Sequence, residues 1–175
     1  MKKMVLYFTI IVYLYLLVDV IIFKTLSSPL ELFDFNRPWL RSVHMIPFKD
    51  MWDVNASVGS NRINILGNIA LFIPLGIYLS MLFSKNQSSL VKNIAIIALL
   101  SLFFELFQFI FAIGVTDIND VILNVSGGLL GILIYKLLIV TLKEERAKKL
   151  IISLGGVVAV LMVLLEMILT IVNRT

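Results

Sequence analysis

Five stretches of this chain are long and apolar enough to cross a lipid bilayer: residues 4–23, 65–83, 94–113, 121–141 and 150–172. A bilayer core takes about 20 helical residues to span, and only helices or closed barrels keep every backbone hydrogen bond satisfied inside it. These runs set the fold class before any other feature. The expectation is an all-α polytopic membrane bundle of five transmembrane helices, with residues 1–175 forming one membrane domain. Composition agrees, at 60% hydrophobic and 15% charged with a mean hydropathy of +1.03. Soluble domains carry markedly more charge. Pro74 lies inside the second span, where it removes the hydrogen bond to the Ala70 carbonyl and should bend the helix.

The basic residues orient the bundle. Lys2, Lys3, Lys85, Lys92, Lys136, Lys143, Arg146, Lys148 and Lys149 fall on one side, in short segments; Lys24, Arg37, Arg41, Lys49 and Arg62 are spread along the loop 24–63 on the other. Short loops rich in Lys and Arg stay in the cytoplasm. The N-terminus is therefore expected inside a bacterial cytoplasmic membrane, with the C-terminus and the 24–63 loop outside. On this reading "LKEERAKK" (142–149) is a topology signal on a cytoplasmic loop first, an anionic-lipid contact second and a nucleic-acid patch a distant third. The first span is too long for the core of a cleaved signal peptide and reads as an uncleaved anchor. In the loop, Trp39, Phe48 and Trp52 suit interfacial docking.

The polar residues gather towards one end. Charges within membrane spans are costly and are usually paired or functional. Three acids occur there, Asp19, Glu105 and Glu166, with Glu105 roughly 12 Å from the outer end of its span at 1.5 Å per residue. Ser101, Glu105, Gln108 and Ala112 share one helical face, as do Asn61, Asn64 and Asn68 on the preceding span. The segment "GVTDINDVILNVSGGLLG" (114–131) places Asp117, Asp120, Asn124, Gly127 and Gly131 along one face of the fourth span. We therefore take Asn64, Asn68, Glu105, Gln108, Asp117, Asp120 and Asn124 as a candidate extracytoplasmic ligand-binding cluster, with nothing comparable in the cytoplasmic half. The short turn around Val115–Ile118 should make the third and fourth spans antiparallel neighbours. Competing structural roles are equally concrete. Thr116 or Asp117 could cap the fourth helix, Asn64 and Asn68 could bind helices together, and Gly127 with Gly131 could serve close packing.

Taken in order, "HMIPF" (44–48), "NILGNIALFIPLG" (64–76), "FELFQ" (104–108) and "DINDVILNVSGGLLG" (117–131) resemble the VanZ-like family of integral membrane proteins. The resemblance implies an association with resistance to teicoplanin and related lipoglycopeptides, without an established enzymatic activity. It falls on Asn64, Asn68, Pro74, Gly76, Glu105, Gln108, Asp117, Asp120, Asn124, Gly127 and Gly131. Many members carry an arginine shortly before the first aspartate, where this chain has Gly114-Val115-Thr116, and begin the loop motif with asparagine where it has His44.

Three function classes follow. First comes a non-enzymatic protein of the outer leaflet whose partners are membrane lipids and a lipid-linked cell-wall precursor or lipoglycopeptide, with no cofactor, no catalytic residue and no nucleic acid. Second comes a membrane-embedded enzyme acting on a lipid-linked envelope precursor, with Glu105 as acid or base and Asp117 and Asp120 holding a divalent ion; oxygen ligands of this kind suit Mg²⁺ or Ca²⁺. Proton-coupled transport ranks third. The absence of cysteine removes disulfides and thiolate metal sites, and a single histidine, His44, removes His-rich ones; whether any metal is bound stays open.

Overall fold

The computed structural model describes residues 2–22, 29–34, 36, 40–48, 58–83 and 89–172. In chain order they form α1 (Lys2–Ile22), a 3-10 turn (Pro29–Phe33), β1 (Leu40–His44), α2 (Val58–Phe83), α3 (Ser89–Phe111), β2 (Ile113–Asp117), α4 (Ile118–Leu142) and α5 (Glu144–Val172). All five of these helices are long and apolar enough to cross a membrane. The architecture is a multi-pass helical membrane protein.

All five helices begin earlier than their apolar runs, α2, α3 and α5 most of all. α2 takes in the polar turn around Arg62, and α3 takes in Lys92 and Asn93. The segment expected to be the 142–149 loop is helical apart from Lys143. Glu144 and Glu145 complement the positive end of the α5 dipole, and Lys148 pairs with Glu144 one turn away. Lys143 alone makes the corner between α4 and α5. It adopts φ 66°, donates its N–H to Ile139 O and accepts Ala147 N–H, so hydrogen bonding runs through the break.

A second departure lies between α3 and α4. In place of a simple turn there is a strand: β2 runs parallel to β1, in register from Leu40 opposite Ile113 to His44 opposite Asp117. A parallel pair needs a long connection between its strands, and here that connection is α2 and α3. α3 releases into β2 through Ala112, a fully buried residue with φ 48°.

The chain divides into two compact units, Met1–Leu17 with Leu137–Thr175, and Val18–Lys136. In the first, α1 and α5 border an apolar groove of about 700 Å³ that includes Val5, Phe8, Gly156 and Val160. From Leu154 to Leu165 most side chains of α5 are exposed apolar groups, the surface a helix presents to lipid. The second unit carries the polar cluster. Its core joins Phe72 of α2, Ile97 and Phe104 of α3, and Ile132 and Tyr135 of α4, with the Phe72 and Phe104 rings edge to face.

Glycines set how closely α2 and α4 approach. A Cβ on Gly127 would strike the carbonyl of Ile69, one on Gly131 the carbonyl of Ile73, and one on Gly76 the carbonyl of Gly128. Each obstacle is backbone and cannot swing aside. The G-x-x-x-G of α4 therefore serves packing inside this unit, where small residues let dispersion contacts form without a hydrophobic driving force. Gly67 has open space at its Cβ position. We predict that Gly131→Ala lowers the stability of the detergent-purified protein by about 1–3 kcal/mol, the usual cost of overpacking. Gly67→Ala should leave it unchanged or slightly raised, given the penalty glycine carries inside a helix. Equal thermal midpoints for the two variants would contradict backbone-to-backbone packing.

Candidate functional site

Glu105 is the centre of the cluster. It sits on the inward face of α3 with Ser101 and Gln108, Ala112 follows just past the helix end, all four are buried, and Glu105 is itself only 5% exposed. Its carboxylate accepts the Asp117 backbone N–H at 2.9 Å, and its backbone carbonyl accepts the Thr116 hydroxyl at 3.3 Å. One residue thus fixes the last two positions of β2. A carboxylate accepting a backbone N–H makes a charge-assisted bond, stronger than a neutral one.

Asp117 caps α4. Its carboxylate accepts the Asn119 N–H at 2.8 Å, satisfying one of the donors a helix leaves unpaired at its start. Its other oxygen lies 3.8 Å from His44 Nδ1, the pairing that strand register imposes. The basic group beside Asp117 is therefore His44. Arg41 stands in register with Gly114, but its guanidinium donates to Ile110 O at the end of α3 and covers the Phe109 ring. Thr116, the alternative cap, is spent on Glu105.

The remaining polar side chains join helices. Asn68 of α2 donates to Asp120 of α4 at 2.7 Å, and Asn124 of α4 donates to Ser101 of α3 at 2.9 Å. Gln108 donates to the Ile21 carbonyl at 2.8 Å, satisfying an acceptor left open by the end of α1. The structure thus gathers Glu105 with Asp117, and Asn68 with Asp120, at the strand end of the unit. It seats Asn124 one turn deeper and turns Gln108 towards α1. Asn64 lies on the exposed side of α2. The side chains of Asn61 and Glu166, and all of Trp39 and Trp52, lie outside the described residues. Asp117 and Asp120 take different partners, and no group of three or more His, Asp or Glu placed to hold a metal ion stands among the described residues.

Two features escaped the sequence reading. Asn119 is buried in the first turn of α4, and its side-chain oxygen accepts the Phe48 N–H at 2.7 Å, tying the loop to the helix. Its signal was position: an amide just inside a helix capped by aspartate. The opposite half of the unit is also not empty of polar groups. Ser80, Asn93 and Tyr135 are buried towards the far ends of α2, α3 and α4. Three buried oxygens, Asn93 Oδ1, Ser80 Oγ and Asn124 Oδ1, have no hydrogen-bond partner among the described residues. Such atoms are costly in a dry interior.

Comparison with known proteins identifies the family. The chain is 34% identical over 150 residues to "Protein VanZ" of Enterococcus faecium, a match covering 86% of this chain and 85% of that protein. No solved structure matches it. The VanZ/LLP1 family model matches residues 8–140, a range that takes in β1, β2, the glycine contact and the whole polar cluster, and the chain belongs to that family.

Proposed function

We propose that this protein is a non-enzymatic component of the bacterial cytoplasmic membrane that acts at the outer leaflet. It lowers susceptibility to teicoplanin and related lipoglycopeptides by binding a lipid-linked envelope component or the drug. Asn68, Glu105, Gln108, Asp117, Asp120 and Asn124 build the binding end of the bundle, and Asn64 lies beside it on α2. The observation that carries the reading is how the acids are used. Glu105 is buried and holds a backbone N–H, Asp117 caps a helix, and Asp120 accepts from Asn68. A general acid or base has to come within hydrogen-bond reach of the substrate atom it serves. Carboxylates engaged in this way suit a preorganised surface better than a proton-transfer site. The resistance element comes from the kinship with VanZ, on a chain that shares the family's motifs along most of its length.

Orientation is part of the proposal. The Lys and Arg distribution puts the N-terminus inside and β1 outside. The chain has no cysteine, so single cysteines report cleanly. On intact cells, an impermeant thiol reagent should label Ser42→Cys in β1 and reach Glu145→Cys at the start of α5 only after permeabilisation. The opposite pattern inverts the topology.

Expression in a susceptible Gram-positive host tests the function. Teicoplanin carries an acyl chain and vancomycin does not, so a membrane-level mechanism should raise the inhibitory concentration of teicoplanin several-fold and leave vancomycin unchanged. Equal protection against both drugs argues against it. Turnover of a lipid-linked precursor by the pure protein, lost in Glu105→Gln, would replace this reading with an enzymatic one.

A further inference from the structure

The turn after β1 exposes an unbroken apolar run. Met45 is 66% exposed, Ile46 59% and Phe48 62%, and no residue from 45 to 48 carries a formal charge. An apolar turn on a loop would ordinarily fold inward. This one is held outward by two features. Phe48 adopts φ 62°, a left-handed conformation that residues with a Cβ seldom take. Its N–H donates to the side-chain oxygen of Asn119, which is 4% exposed and so cannot move to follow another conformation of the turn. Backbone strain persists only where surrounding structure over-determines it, and here a buried amide does so.

Asn119 also fixes the level of the turn. It is the second residue of α4, a helix of membrane-spanning length and composition that starts at Ile118. The hydrogen bond therefore holds the Phe48 backbone level with the first turn of this helix, just before its apolar run begins at Val121. Other apolar side chains are exposed at the same end of the unit: Ile110 at the end of α3, and Val115 and Val43 on opposite faces of the strand pair.

From this we infer that residues 45–48 form a wedge inserted into the lipid leaflet at the strand end of the bundle, with Asn119 as the residue that locks it in the inserted conformation. The occupant of this surface is lipid, because the turn is apolar, exposed and uncharged and is held level with the first turn of a helix long and apolar enough to span a membrane. The inference is independent of the ligand and of the resistance phenotype.

Single nitroxide labels on the full-length protein test it. Labels replace Met45, Ile46 and Phe48 in turn, with Leu106, an exposed apolar residue of α3, as the lipid-facing reference. The protein is reconstituted in phosphatidylcholine–phosphatidylglycerol vesicles, and collision with oxygen is compared with collision with a water-soluble nickel chelate. Labels at 45 and 46 should favour oxygen as the Leu106 label does. A preference for the nickel chelate places the turn in water and overturns the wedge; low accessibility to both places it against protein and overturns it too. Asn119→Ala should move the Ile46 label towards the aqueous pattern, whereas Asn119→Asp, which keeps the acceptor, should not. An unchanged label in Asn119→Ala removes the locking role, and the unsubstituted protein decides insertion even where that variant fails to fold.

Discussion

The carboxylate of Glu105 holding the Asp117 N–H is the contact from which the rest of the strand end is built. With the Thr116 hydroxyl on the Glu105 carbonyl, it fixes the end of β2 against α3. A fixed β2 gives β1 a template, and the parallel register then brings His44 to Asp117. The same residue, Asp117, caps α4 and so sets where Asn119 stands, which in turn fixes the loop at Phe48. In a membrane these links matter more than their number suggests, because an unsatisfied polar group has no water to fall back on. Burying a carboxylate is tolerable only where donors are already aimed at it.

The glycine contact supplies the second condition. Asn68 and Asp120 can reach each other because α2 and α4 are drawn together along Gly76, Gly127, Gly128 and Gly131. Lipid tails are as apolar as the helix faces, so helices in a bilayer gain little from hydrophobic burial and rely on close packing and hydrogen bonds. The two mechanisms share the work here. Glycine packing dominates the middle of the α2–α4 seam, and side-chain hydrogen bonds dominate the strand end.

Much of this was legible in the sequence, and what was not has physical causes. The five spans follow from length and apolarity, and the face bearing Ser101, Glu105, Gln108 and Ala112 follows from helical periodicity; all four are buried. Helix starts were misjudged wherever the first turns are polar, because hydropathy sees the bilayer and not the helix. "EERAKK" is helical through its capping acids and its intrinsic propensity, neither of which an apolar window detects. The β1–β2 pair could not be read at all, since its strands are separated by two helices and pairing of that kind leaves no local pattern. Periodicity also named inward residues without naming their partners. It grouped Asp117 with Asp120, which the structure assigns to different contacts, and it passed over Asn119, which lies off that stripe. Counting charges alone hid Ser80, Asn93 and Tyr135 in the other half.

The central claim is that Glu105 and Asp120 serve one cooperative polar end of the bundle on which function depends. A double-mutant cycle on teicoplanin protection tests it most directly, using Glu105→Gln and Asp120→Asn with membrane levels of each variant matched by immunodetection. Each variant keeps one acceptor oxygen, replaces the other with N–H₂ and removes the carboxylate's capacity for negative charge, while size is conserved. Groups that act through one network are non-additive. The account predicts that each single variant loses most of the protection and that the double variant loses no more than the worse single one. Full protection by both single variants at normal membrane levels, or partial losses that simply add, would contradict it.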